Sequence, residues 1–319
     1  MKIIPQLTVI GNYGCYGCAN VYRAENNNSP AFKSVLYNPN SIIYKTNPAL
    51  KFMDSYFIHT IEISRKSWHI TNKELQPYLK VVDIENKKNP HVRMWDINNG
   101  NKKKYAVILH GISNNISSLQ EMYKKIINNT EYAILAPEYH GLTPENNENI
   151  YIEPKNILRD TKNSIEYLNK KGIENNNITV IGHCFGGFVA SMLAKEYSDL
   201  ENLILITPIN TSRYVSTKIQ ENKNKHIPQS VINTFGKKHV VLDKLLKLFF
   251  NTTKQLKKVK SPVDIIYANS DQYTNINDTI NMAYHCKNFR SLKMVDGFHA
   301  MDENKINAIV SILNSNKSN

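Results

Sequence analysis

Cysteine is scarce, with four in 319 residues. That is too few to staple a chain of this length with disulfides. Cys15 and Cys18 form a C-x-x-C, but a zinc ribbon needs a second pair, and Cys184 and Cys286 stand alone. A thioredoxin-like reading needs a βαβ context that Gly11-Asn12-Tyr13-Gly14 does not announce, so the pair reads as structural or incidental. Glycine and proline are low, 12 of each, which excludes collagen-like and low-complexity classes. No apolar run approaches the ~18 residues of a membrane-spanning helix. The N-terminal apolar stretch is broken by Pro5, Gln6 and Thr8, a poor secretory signal, so cytoplasmic residence is the default expectation. Acidic residues are the minority, 27 against 40 Lys+Arg, for a net charge of +13. Such a surface attracts anions. The lysines are scattered, however, and no RNP-type motif, zinc-finger spacing or recognition helix accompanies them, so nucleic acid is not the expected partner.

Eighteen Tyr and ten Phe spread along the chain exclude wholesale disorder. From about Tyr78 a regular alternation begins. Tyr78–Ile84 and His91–Ile97 read as strands joined by a polar turn, Glu85–Pro90. Lys104–Leu109, Tyr132–Ala136, Asn177–Ile181, Leu203–Thr207, Val263–Ala268 and Leu292–Val295 read as buried strands. Ser117–Asn128, Pro154–Lys171, Phe185–Tyr197, Ile276–Lys287 and Lys305–Leu313 read as helices between them. Buried strands alternating with amphipathic helices predict an α/β protein, a mostly parallel sheet with helices on both faces. The first two strands are the expected antiparallel edge.

Two stretches break the pattern. Residues 1–75 read as an N-terminal extension on the core, with a strand around Tyr56–Ile63. Residues 210–260 interrupt the core (76–209 and 261–319) after its sixth strand. An excursion of ~50 residues between sheet strands reads as a helical lid rather than a connection. It mixes the apolar stretch Val240–Phe250 with many lysines.

The strongest local feature is Gly182-His183-Cys184-Phe185-Gly186, set between a strand and a helix. This is the pattern of a nucleophile elbow. A side chain at the apex of so tight a turn needs strained backbone, and small flanking residues let strand and helix approach. The helix N-terminus beneath it offers N–H groups and a positive dipole end to a developing anion.

On these residues the chain resembles the α/β-hydrolase superfamily, over about residues 78–315. His110-Gly111 resembles the family's oxyanion loop, and Glu138-Tyr139-His140-Gly141 its acidic-aromatic loop. Ala268-Asn269-Ser270-Asp271 resembles its G-x-x-D, and Gly297-Phe298-His299 its final G-x-H. The resemblance implies a triad of Cys184, His299 and Asp271, with oxyanion donors at the backbone N–H groups of Ile112 and Phe185 and elbow glycines Gly182 and Gly186. Asp278, Asp296 and Asp302 are the competing acids near the histidine. His110, His183, His140 and Glu138 then shape the loops around the site. The departure is cysteine where most of the superfamily has serine. Cysteine-bearing branches include dienelactone hydrolases, thioesterases and N-acyltransferases.

A cysteine nucleophile implies an acyl-cysteine intermediate, a thioester open to attack by water, amines or thiols. The expected activity is therefore hydrolysis or transfer of an acyl group from an ester or thioester. The expected substrate is a small acyl compound, delivered on CoA or on an acidic carrier protein if the basic lid takes part. The alternative is a non-catalytic ligand-binding protein of the same fold. No cofactor is expected, and no metal, since neither H-E-x-x-H nor H-x-H occurs.

Overall fold

The computed structural model describes residues 70–86, 89–111, 114–139, 154–209 and 251–316, together with the two-residue strand Thr8–Val9. Five sequence expectations lie outside the described residues: the strand at Tyr56–Ile63, the Cys15/Cys18 pair, Ile112, His140, and residues 210–250 of the expected lid.

The core is a mostly parallel sheet. Its strands in chain order are β1 (Thr8–Val9), β2 (Leu79–Asn86), β3 (Asn89–Ile97), β4 (Lys104–Leu109), β5 (Tyr132–Pro137), β6 (Ile178–His183), β7 (Asn202–Ile206), β8 (Val263–Ala268) and β9 (Phe289–Val295). Across the described residues they are ordered β1-β9-β8-β7-β6-β4-β5-β3-β2. β3 runs antiparallel to both β2 and β5, which makes the antiparallel edge. All other pairings are parallel.

Helices α1 (Gln120–Asn129) and α6 (Glu303–Ser315) cover one face. Helices α2 (Pro154–Lys170), α3 (Phe185–Glu196), α4 (Thr252–Leu256) and α5 (Ile276–His285) cover the other. The strand period of two sorts the core. In β4, Tyr105, Val107 and Leu109 join the cluster under α2, α3 and α5, while Ala106 and Ile108 join the cluster under α1 and α6. Strands buried on both faces have no polar side to alternate with, which is why they appear in the sequence as unbroken apolar runs.

Several boundaries differ from the sequence expectation for local reasons. The turn expected over Glu85–Pro90 is mostly strand: Asn86 pairs with Asn89, after a register irregularity beyond Ile84. The helix expected from Ser117 opens as a 3-10 turn, Ile116–Leu119, because the Asn115 side chain accepts from the N–H groups of Ser117 and Ser118. β9 begins three residues earlier than Leu292. It begins at Phe289, followed by polar Arg290 and Ser291, and Arg290 forms an ion pair with buried Asp264. Helix α4 lies at the end of the segment read as a lid. Its Leu256, and Val259 beyond it, are fully buried in the core against α3 and α5. At the other end, Leu75 is buried, and Gln120 accepts from the N–H groups of Thr71 and Asn72, tying the end of the N-terminal segment to α1.

Candidate active site

β6 leads directly into Cys184, and α3 starts at the next residue. Cys184 has φ 56° and ψ −117°, a conformation that side-chain-bearing residues adopt at a cost of about 1–3 kcal/mol. Surrounding backbone holds it there. Cys184 N–H donates to the Ile206 carbonyl at 3.0 Å, and its own carbonyl accepts from Gly187 N–H at 3.0 Å and Ile209 N–H at 3.3 Å. The glycines on either side are needed for space. A Cβ on Gly182 would stand 2.3 Å from the Gly186 carbonyl oxygen, and one on Gly186 would stand 2.0 Å from that of Leu109. Cys184 is 7% exposed, a buried member of the core cluster under α2, α3 and α5. Phe185 is the first residue of α3, so its N–H faces out of the helix N-terminus.

Across the crest of the sheet, His299 follows β9 and Asp271 follows β8. His299 Nδ1 lies 2.8 Å from Asp271 Oδ2. The other carboxylate oxygen accepts from the N–H groups of Tyr273 at 2.7 Å and Thr274 at 2.9 Å, so the turn that carries Asp271 also aims it. Burial alone would raise the Asp271 pKa. The hydrogen bond and charge of His299, with the two backbone N–H groups, outweigh burial and hold the carboxyl below its usual range. The competing acids are engaged elsewhere: Asp302 caps α6, Asp296 accepts from Asn269, and Asp278 lies in the first turn of α5.

His299 is pulled in both directions. Burial, the largest single influence, disfavours its charged form. The negative charge a Cys184 thiolate would carry, the hydrogen bond to Asp271, the closeness of the Cys184 sulfur and the charge of Asp271 together prevail and raise its pKa to about 10. Its Nε2 is buried and lies outside ordinary hydrogen-bond geometry among the described residues. Such looseness is common in catalytic pairs before substrate binds. The Tyr273 ring stands edge-on to the imidazole, 4.9 Å between centroids.

The loop after β4 is braced from below. His110 Nε2 lies 2.6 Å from Glu138 Oε1, with both side chains buried. Tyr139 Oη donates to the His110 carbonyl at 2.8 Å. A Cβ on Gly111 would stand 3.2 Å from the Cys184 Cβ, so this loop borders the sulfur. Ile112 follows, outside the described residues, as does His140.

The structure thus brings Cys184, His299 and Asp271 to one end of the sheet, with Phe185, Gly182 and Gly186 around the apex. Sequence reading did not pick out Thr207, and it read His183 only as shaping the loops around the site. Thr207, just beyond β7, has φ 40°, rare for a β-branched residue, and a buried Oγ1 without a partner among the described residues. His183 bonds the backbone of His299, 116 positions away. Neither the Thr207 conformation nor the His183 contact leaves a local signal. Among the described residues no group of three His, Cys, Asp or Glu could hold a metal ion, and no helix is long and apolar enough to cross a membrane.

A family model described as serine aminopeptidase, S33, matches residues 100–243. The matched span includes Cys184. Among solved structures, a Pyrococcus furiosus esterase is 19% identical, with 79% of this chain and 97% of that one aligned at a TM-score of 0.60. Est1E from Butyrivibrio proteoclasticus is 15% identical, with coverages of 75% and 99% and a TM-score of 0.54. The thioesterase domain of the curacin biosynthetic pathway is 12% identical, with coverages of 74% and 98% and a TM-score of 0.50. No curated protein matches the sequence. With the strand order β9-β8-β7-β6-β4-β5-β3-β2, the elbow after β6 and these structural likenesses, the chain has the α/β-hydrolase fold.

Proposed function

We propose that this protein is an acyl-transfer hydrolase acting on esters or thioesters through an acyl-Cys184 intermediate. The observation that carries this reading is the His299–Asp271 bond of 2.8 Å beside a cysteine held in strained backbone at a helix N-terminus. The similarity to esterases and a thioesterase domain supports the same reaction class.

In the first half-reaction Cys184 Sγ, as thiolate, bonds to the acyl carbon. The carbonyl becomes an oxyanion facing the N–H of Phe185 and that of Ile112. As it collapses, the bond from carbon to the leaving oxygen or sulfur breaks, and the leaving group takes the proton from His299 Nε2. In the second half, water or another acceptor gives its proton to His299 Nε2 and attacks the thioester carbon, and Sγ departs. Asp271 keeps Nδ1–H in place and stabilises the imidazolium without being protonated itself. The net charge of +13 supports an anionic carrier, CoA or an acidic carrier protein, for the acyl group.

The test is intact-protein mass spectrometry after exposure to p-nitrophenyl acetate and a panel of acyl-CoA thioesters. One acyl group should appear on Cys184 and none on Cys286. Iodoacetamide should likewise modify Cys184 before Cys286, whose thiol is pushed up to about 11, chiefly by burial. Turnover without any adduct that the Cys184→Ala variant also shows would overturn the covalent mechanism.

A further inference from the structure

His183 is the second position of the elbow turn, directly before Cys184, nearly fully buried, and has no step of its own in the chemistry above. Its Nε2 lies 2.9 Å from the backbone carbonyl oxygen of His299. A carbonyl only accepts, so Nε2 carries the proton in this contact. Burial, then the positive charge of His299, bring the His183 pKa down to about 3, so one ring nitrogen stays unprotonated at neutral pH. That nitrogen is Nδ1, buried and without a partner among the described residues. It lies 3.6 Å from where a Cβ on Gly111 would stand, so the ring fills the space between the loop after β4 and the loop of His299.

The His299 loop needs such a tether. It joins β9 to α6 and has no regular structure from Gly297 to Met301. Its start is fixed by Ser270 N–H on the Gly297 carbonyl at 3.1 Å, and its end by Asp302, which caps α6 and pairs with Lys305. Between these, Phe298 is 62% exposed. Among the described residues, the bond from His183 is the backbone hydrogen bond made by the stretch from Phe298 to Met301. The Asp271 bond restrains the imidazole at Nδ1 and leaves the ring free to swing about that contact. Holding the carbonyl of the same residue removes the swing.

We propose that His183 is a positioning residue: its Nε2–H bond to the His299 carbonyl, together with the Asp271 bond, fixes the direction in which His299 Nε2 points toward Cys184. This rests on the acyl-cysteine reading for its kinetic consequence, and on the structure alone for its geometric one. The elbow therefore places the nucleophile with one residue and its proton-transfer partner with the residue before it. Reactant misplacement of about 1 Å costs on the order of 100-fold in rate, so the effect is measurable.

The experiment compares His183→Leu, which has no donor, His183→Asn, whose amide is too short to reach the carbonyl, and His183→Gln, whose amide nitrogen reaches as far as Nε2. Hydrolysis of p-nitrophenyl butyrate should lose about 10- to 100-fold in kcat in the Leu and Asn variants, with KM nearly unchanged. His183→Gln should recover most of the loss. The pH profile of Cys184 alkylation should shift in Leu and Asn and return toward the parent in Gln. The charged groups facing His183 are His299, Lys305 and Asp271, and these stay in place in all three variants. A second readout needs no covalent chemistry. In a Cys184→Ala background, the NMR signal of the His299 Nδ1–H proton should exchange with water faster in Leu and Asn than in Gln. Parent-like kinetics and exchange in Leu and Asn would overturn the proposal. So would a Gln variant as impaired as Leu with Nδ1–H exchange unchanged in both, since the role would then be packing. If no variant or parent hydrolyses the ester, the reading of function fails, and the exchange measurement still decides this inference.

Discussion

The Asp271 carboxylate meets the His299 imidazole at 2.8 Å although the two residues lie 28 positions apart, on loops leaving neighbouring strands β8 and β9. One carboxylate oxygen is given to the imidazole and the other to the turn that presents it. That division of labour separates geometry from chemistry and makes the pair open to dissection.

Asp271→Asn keeps Oδ1 as acceptor for the N–H groups of Tyr273 and Thr274, so the turn should survive. The amide that replaces the other oxygen donates rather than accepts, which favours the wrong imidazole tautomer. A fall in kcat of about 1,000-fold or more is expected on p-nitrophenyl esters, with the urea midpoint little changed. Activity within tenfold of the parent would show that Asp271 does not orient His299.

Cys184→Ala should abolish turnover and leave the fold intact, because only the sulfur atom is removed and its backbone hydrogen bonds stay. Cys184→Gly should also be inactive, yet more stable than the Ala variant by about 1 kcal/mol, since glycine adopts φ 56° without strain. Chemical denaturation of the two inactive variants measures the difference. Equal stabilities would mean that the elbow stores no backbone strain.

The elbow glycines should be the least tolerant. Gly186→Ala and Gly182→Ala drive a Cβ into backbone oxygens at 2.0 and 2.3 Å, and backbone of a packed strand and helix cannot yield cheaply. Losses of about 3 kcal/mol or more, or failure to fold, are expected. Gly172→Ala meets nothing within 4 Å and suffers only its φ of +79°, so about 1 kcal/mol is expected there. Urea midpoints of the three variants check the ranking.

His299 should lose its high pKa when the Cys184 charge is removed. In the parent its value of about 10 lies above the free-imidazole 6.5, so the folded state binds the proton more tightly. The stability this confers is fully present below 6.5 and is lost as pH rises through 10. In Cys184→Ala burial remains while one opposing charge is gone, so the imidazole should titrate at lower pH, and the alkaline loss of stability, still starting near 6.5, should be smaller and complete at lower pH. NMR titration of His299 in both proteins tests this. A midpoint unmoved by the substitution would show that no thiolate–imidazolium pair exists.

Much of the fold was legible because its signals are local. β4, β5, β6 and β7 are buried on both faces and mostly apolar, so each appeared as a run whatever lay beside it. The elbow was legible for the same reason: strand, glycine, cysteine, glycine and helix are consecutive. Helix α4 was not, since five residues with two threonines carry no amphipathic period, and only burial of Leu256 against α3 makes them a helix of the core. The start of β9 was hidden by Arg290, a charge that enters the sheet only because Asp264 on the next strand receives it.

The choice among Asp271, Asp278, Asp296 and Asp302 shows where local reading ends. All four lie within about one element of His299 along the chain or at neighbouring strand ends, and all are acids. By itself the sequence determined that a cysteine stands at a strand-to-helix apex flanked by glycines, and that a histidine and several acids follow the last strands in order. Only the tertiary structure decided which acid meets the histidine, and that His183 holds its carbonyl. Those contacts depend on the order β6-β7-β8-β9 across the sheet, in which parallel strands place their C-terminal ends side by side. Residues distant in the chain become neighbours there, and nothing in the local pattern of either one records the other.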